Sequence, residues 1–277
     1  LEKYGLDTLL ILKSDGTTVY ATRDFALAED KFKRFKLDRS IVVVDIRQAL
    51  YFKQLFKALA LAGFKKPMAH VPYEFVTLKE GAISSRKGTI VPYEQLRDEV
   101  VAVATRETKK RHADWKEQKI KKTAWQIAQA SMRLGMLAHD VTRAITFDIK
   151  TATSFDGFTG PYLQYTGARI ASILRKSKET HVAALTVKEI QPVEKRLLLA
   201  LARYPQVVLK TASEMRPAPL CEYLFGLAKT FAEFYESQPV LKAEPAVREF
   251  RLRLIRGVQT VLEHGAKLLG IEIPKEM

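Results

Sequence analysis

The sequence predicts an α/β unit built on a parallel sheet, followed by an all-helical bundle. Three observations predict it. Short β-prone runs alternate with helical stretches through the first 90 residues. From about Tyr93 onward, apolar residues recur at helical spacing instead. The chain, 277 residues long, has enough length for two domains that each bury a core.

The elements follow in order. Thr8–Leu12 and Thr17–Ala21 are β-prone runs around Ser14-Asp15-Gly16, a turn sequence that predicts a hairpin. Residues 22–34 predict a helix. Ile41–Asp45 is an apolar run of the kind buried in parallel sheets, and helix 47–62 follows, with Gly63 as its C-terminal cap. A further strand region covers His70–Leu78. Strands alternating with helices imply a doubly wound sheet, whose ligands bind at the carboxyl ends of the strands. In the second half, Thr186-Val-Lys-Glu189 reads as a capping box before Val193–Tyr204. Pro205, Pro217, Pro219 and Pro245 each suit a helix start. Arg248–Leu269 carries an apolar stripe at helical spacing. The stretch 145–161, rich in Thr, Gly and aromatic residues, interrupts the helices.

Composition narrows the function. The formal net charge is +15, with 17 basic and 13 acidic residues in the first hundred against 29 and 18 in the remainder. A basic excess of this kind suits a polyanionic partner, because binding releases condensed counterions; a lysine-rich solvated surface would look the same. No apolar run approaches the roughly 18 residues of a membrane span, so no membrane partner is expected. The start, Leu-Glu-Lys-Tyr-Gly, lacks the layout of a signal peptide and an initiator Met. Cys221 is the only cysteine, which excludes an internal disulfide and suits a reducing, cytoplasmic compartment. The five histidines are scattered, at 70, 112, 139, 181 and 264, and predict no metal site.

Four segments carry chemistry. Tyr20, Thr22 and Asp24 lie where a strand is expected to give way to a helix; a phenol beside a carboxylate suits a guanidinium, although Thr22 or Asp24 could equally cap the helix. Gln48, in the first turn of the next helix, would reach the same crevice. Gly81-Ala-Ile-Ser84-Ser85-Arg86-Lys87-Gly88 sets two hydroxyls and two cations between glycines, a composition able to stabilise charge on transferring phosphates. Gly160-Pro-Tyr162-Leu-Gln164-Tyr165-Thr-Gly-Ala-Arg169 opens a helix with two tyrosines three apart on one face. Aromatic rings beside arginines serve single-stranded RNA recognition, and they also serve ordinary helical cores.

In order and spacing, Tyr20-Ala-Thr-Arg-Asp24, Gln48 with Phe52 and Gln54, His70-Val-Pro-Tyr, Ser84-Ser-Arg-Lys-Gly and Gly160-Pro-Tyr-Leu-Gln-Tyr resemble the arginyl-tRNA synthetase family. The resemblance runs over essentially the whole chain. It implies the C-terminal half of a class I Rossmann-type catalytic domain over 1–92, a helical stem-contact region over 93–145, and a DALR-type anticodon-binding domain over 146–277. The implied activity is ATP-dependent ligation of arginine to tRNA(Arg), with Mg2+ accompanying ATP, by a monomer. The alternative is a non-catalytic tRNA-binding paralogue or a split-synthetase subunit.

Residue by residue, the resemblance implies an arginine pocket of Tyr20, Asp24 and Gln48, with Thr22 and His70 near ATP. Ser84, Ser85, Arg86 and Lys87 match the family's Lys-Met-Ser-Lys-Ser loop. Tyr162, Gln164, Tyr165, Arg169 and the terminal Met277 would meet the anticodon. Three positions depart from the pattern: Tyr51 stands where many members have His, Glu74 where they have Gly, and Ala82-Ile83 where the loop opens with Lys-Met. The family's His-Ile-Gly-His motif has no counterpart, since no His-x-x-His pair occurs. These 277 residues by themselves are therefore expected not to activate arginine.

Overall fold

A computed structural model describes residues 1–79, 91–177 and 189–277. The chain divides into two compact units: Leu1–Val76 with Val141–Ile145, and Thr77–Asp140 with Thr146–Met277.

In the first unit, α1 (Tyr20–Phe35), β1 (Ser40–Asp45), α2 (Ala49–Leu61) and β2 (Met68–Tyr73) succeed one another. β1 and β2 pair in parallel, from Ser40 opposite Met68 to Asp45 opposite Tyr73. Val42 and Val44 of β1 pack with Phe52, Leu55 and Leu59 of α2 and with Met68. Gly63 closes α2 at φ +94°, a backbone conformation that favours glycine. The parallel pairing follows the sequence expectation, the strand region expected over His70–Leu78 divides into β2 and a separate short strand at Val76–Leu78, and the early hairpin does not form. Only a single antiparallel bridge, Leu12 to Thr18, joins the two runs. The second run yields to α1, which begins at Tyr20 with Val19 as its N-cap. An isolated two-stranded hairpin is marginal, whereas the Ala-rich stretch after Tyr20 gains a helix that buries Ala21, Ala28 and Phe32.

The chain passes between the units three times, within β3 (Val76–Leu78), at Asp140–Val141 and within β4 (Ile145–Phe147). The second unit is helical: α3 (Tyr93–Arg111), α4 (Glu117–Leu137), the single turn α5 (Ile149–Ala152), α6 (Gly160–Lys176), α7 (Pro192–Glu214), α8 (Ala218–Ser237) and α9 (Pro245–Leu268). One core joins α4 and α6 to α9, centred on Leu163, Ile170, Leu197, Leu224, Phe234 and Ile255. A second lies where Leu96 and Val100 of α3 meet Ala124 and Ile127 of α4. Gly160 explains the opening of α6: a Cβ there would sit 2.3 Å from the backbone of Ala130, so only glycine lets α6 approach α4.

Two helix signals fall differently from expectation. Pro205 lies inside α7 rather than at a start; removing one backbone donor in a helix costs about 3 kcal/mol or more, which the packing of so long a helix absorbs. The capping box belongs to Gln191 and Glu194, whose side chains exchange bonds with each other's backbone N–H groups; the proposed Thr186–Lys188 start lies outside the described residues. Pro217, Pro219 and Pro245 stand at helix starts, as the sequence indicates. Among the described residues no helix is long and apolar enough to cross a membrane, and no cluster of three potential metal ligands occurs.

Candidate functional site

Tyr20 and Asp24 stand one helical turn apart at the start of α1, hence on one face. Tyr51 of α2 joins them. Its hydroxyl donates to Asp24 Oδ2 at 2.5 Å, and its ring lies 5.8 Å from that of Tyr20. Burial, and then the bond to the Asp24 carboxylate, raise the Tyr51 phenol above the ordinary tyrosine range. The neighbouring Thr22 hydroxyl donates to the Ile11 carbonyl, fastening α1 to the incoming chain. Gln48 is exposed on the tight turn between β1 and α2, at the carboxyl end of β1. At the same end Asp45 accepts from the backbone and guanidinium of Arg47, which lowers its carboxyl pKa.

His70 lies on β2, its Nε2 3.3 Å from the Val44 carbonyl oxygen and its ring stacked on Phe52 at 4.9 Å. Gln54 is buried and donates to the carbonyls of Asp7 and Thr8, so it ties the irregular N-terminal segment to α2. The result is a carboxylate, two phenols and an exposed amide near the carboxyl edge of a parallel sheet. That set can receive a planar cation with directional acceptors. Ser84, Ser85, Arg86 and Lys87, with Ala82 and Ile83, lie outside the described residues.

The second unit carries a different surface. Thr159 caps α6 by accepting from the Tyr162 N–H at 3.2 Å. Tyr165 is 36% exposed and one turn from Arg169, whose Nη2 donates to the Tyr165 hydroxyl at 2.6 Å. The Arg169 guanidinium also lies 4.7 Å from the Tyr165 ring and 5.2 Å from the Tyr235 ring of α8. A cleft of about 310 Å³ is lined by Arg169 and Tyr235 together with Lys176, Pro239 and Lys242. One turn earlier on α6, Tyr162 meets Phe225 of α8 at 5.4 Å, and Phe158 stacks on Phe225 at 4.8 Å. Burial raises the Tyr162 phenol. Aromatic rings and cations thus follow one another along α6 and α8 from Phe158 to Lys176.

The other two residues named from the sequence stand apart from this row. Gln164 is fully buried, and its Nε2 donates to the carbonyls of Gln126 and Glu272 at 3.0 and 2.8 Å. Met277 packs against the α3–α4 core. The tail leading to it is tied down by Gln126 to Glu272, by Arg175 to the Lys275 carbonyl, and by Lys119 to Glu276. Sequence reasoning missed Phe158 and Phe225. The signal for Phe158 is an aromatic between Gly157, at positive φ, and Gly160, which opens α6; for Phe225 no local signal distinguishes it from the buried Phe231 and Phe234.

Two family models match the chain, with a boundary near residue 150 rather than at Val76, so α3 and α4 fall within the first match although they pack in the second unit. Residues 2–149 match the family model described as tRNA synthetases class I (R), catalytic domain, and residues 163–277 match the DALR anticodon binding domain. An arginine–tRNA ligase of Bdellovibrio bacteriovorus is 38% identical over 282 aligned residues, covering all of this chain and 49% of that protein. One from Archaeoglobus fulgidus is 37% identical over 275 residues, covering 98% of this chain and 49% of that protein. The solved arginyl-tRNA synthetase of Thermus thermophilus superposes with a TM-score of 0.87 at 30% identity, over 97% of this chain and 51% of that one. The Plasmodium falciparum structure, 22% identical with a TM-score of 0.82 over 96% of this chain and 46% of that one, shares the fold. The chain spans about half the length of the curated relatives it matches.

A class I catalytic segment followed by a helical anticodon-binding domain defines a class I aminoacyl-tRNA synthetase. Within that class, the chain belongs to the arginyl-tRNA synthetase family.

Proposed function

We propose that this chain supplies the arginine-selecting and anticodon-reading parts of an arginine–tRNA ligase. In that reaction the arginine carboxylate attacks the α-phosphorus of ATP, releasing pyrophosphate, and a tRNA 3′-terminal hydroxyl then takes the arginyl group, releasing AMP. Mg2+ accompanies ATP as its counter-ion. Asp24, oriented by the Tyr51 hydroxyl, receives the guanidinium of the substrate, with Tyr20 against its plane and Gln48 closing the edge. A lysine in the same place would forfeit the planar, bidentate fit. Thr22 and His70 border the ATP side, and Ser84–Lys87 serve the phosphates. Residues 93–145 contact the tRNA stem.

The observation that carries the reading is the row of aromatic rings and cations on α6 and α8, half-buried against the core at Tyr162 and Phe225 and exposed at Tyr165 and Tyr235 beside Arg169. Unpaired bases stack on rings and guanidinium planes at about 1–3 kcal/mol each. Tyr162 and Arg169 would meet anticodon-loop bases. Gln164 has no free surface for RNA and supports the site by holding α6 to α4 and to the tail that ends in Met277. Filter binding of tRNA(Arg) across a salt series tests this. The expected result is salt-sensitive binding that weakens when the anticodon bases are replaced; equal affinity for an unrelated tRNA would sink it.

A further inference from the structure

The connection between α8 and α9 forms one wall of the cleft beside Arg169, through Gln238, Pro239, Leu241 and Lys242. It has no helix or strand of its own to keep its shape. Two anchors hold it. Val240, 6% exposed, enters the main core. The other anchor is polar and comes from behind: Arg251 of α9, 6% exposed, donates from Nη1 to the Pro239 carbonyl at 2.6 Å and from Nη2 to Gln238 Oε1 at 2.7 Å. Its Nε donates to Glu194 Oε1 at 2.6 Å. Glu194, 1% exposed, uses its second oxygen to accept the Gln191 N–H at the start of α7. One guanidinium therefore ties α7, the end of α8 and the connecting loop to α9.

A buried ion pair of this kind adds little net stability over apolar residues of the same size, because both charges give up their hydration. What it does add is direction: the planar fork fixes three acceptors in one plane. Two of those acceptors belong to residues that line the cleft. Tyr235, the ring beneath Arg169, lies one turn before Gln238 at the end of the same helix. We propose that Arg251, with Glu194, is a positioning residue for nucleobase recognition. From inside the bundle, it holds the Gln238–Lys242 wall and the end of α8 at the distance from Arg169 that admits one unpaired base. This rests on reading the cleft as an RNA site.

The test uses the full chain and two RNA hairpins of the same stem, one with the seven-base anticodon loop of tRNA(Arg) and one with an abasic loop (the loop length is about seven nucleotides, within the span of single-strand sites). The wild type binds the first more tightly. The Glu194→Gln/Arg251→Met variant removes both buried charges together, and Gln keeps an acceptor for the Gln191 N–H, so its melting temperature is expected to fall only by what the Pro239 carbonyl and Gln238 amide oxygen lose with their donor. Its preference for the intact loop is expected to fall about tenfold, with affinity for the abasic hairpin unchanged. Arg251→Lys, which keeps the charge without the fork, falls between the two. A double variant that retains the full preference overturns the positioning role. Equal losses on both hairpins assign the pair to bundle integrity alone and overturn it as well. A wild type that shows no preference overturns the RNA reading itself, and this inference with it.

Discussion

The two units solve the problem of burying a core in different ways. In the second, α4 and α6 through α9 enclose a continuous core whose central residues, Leu163, Leu224, Phe234 and Ile255, have no exposed surface. In the first, α2 packs on a two-stranded parallel sheet, with Ala28 and Phe25 of α1 joining a small cluster around Phe52, Leu55 and Leu59. Ile41 and Val43 alternate with the buried-side residues of β1 and remain 50% and 61% exposed. Parallel sheets are ordinarily covered on both faces, and small cores leave little margin over chain entropy. The helical unit therefore has the larger and more completely buried core. The α/β unit holds its Tyr20, Asp24 and Tyr51 cluster on a smaller core.

The largest effect that separates them is loss of a core ring. Phe234→Ala should cost about 3–5 kcal/mol and lower amide-exchange protection throughout α6–α9. Phe52→Ala, at a site ringed by the half-buried Tyr51 and Phe56, should act near the lower end of that range and confine its effect to residues 1–76. Hydrogen exchange on the full chain reads both at once. Protection lost uniformly across the chain in either variant would break the division into two units.

Cys221 reports on the helical unit at a smaller scale. It is fully buried in α8, and burial pushes its thiol up to about 12. The thiolate is the reactive form, so labelling at neutral pH should proceed only through opening of the bundle, at a rate that Phe234→Ala increases and Phe52→Ala leaves alone. Rapid modification of the folded wild type would show that the bundle opens locally at α8.

Much of this contrast was legible in the sequence, and the failures have common causes. The parallel order of β1 and β2 followed from an apolar run, a helix and a second run, because burial on a sheet face writes itself as continuous hydrophobicity. α9 followed from its stripe. The hairpin at Ser14–Gly16 failed because turn residues specify a turn and not the strand partners that would extend it. At the sites, Asp24 and Tyr20 share a face, as their spacing requires, but nothing local showed that Tyr51 would bond Asp24 from another helix. Gln164 carried the same motif as Tyr165 yet turned inward, because one residue along a helix is a rotation of about 100°. Arg251 looked like one more basic residue on a charged helix; only packing reveals that it is buried.

Tyr51 gives the α/β unit its own reporter and the smallest of these effects. Its folded pKa is raised, by burial first and by the Asp24 carboxylate second. The sign follows from linkage: a group that holds its proton more tightly when folded contributes stability that is present below the unfolded tyrosine value of about 10 and is lost as pH rises through the higher folded value. In an ultraviolet titration, the wild type minus Tyr51→Phe difference should therefore show a phenol that stays protonated past the step at about pH 10 where exposed tyrosines ionise. Tyr51→Phe should also lose about 0.5–1.5 kcal/mol at neutral pH through the missing hydrogen bond. Because Asp24 then lacks its donor, the loss belongs to the α1–α2 contact rather than to the sheet. If the difference titrates at the ordinary tyrosine value, the Tyr51–Asp24 bond does not order the pocket, and the carboxylate must be oriented by another group.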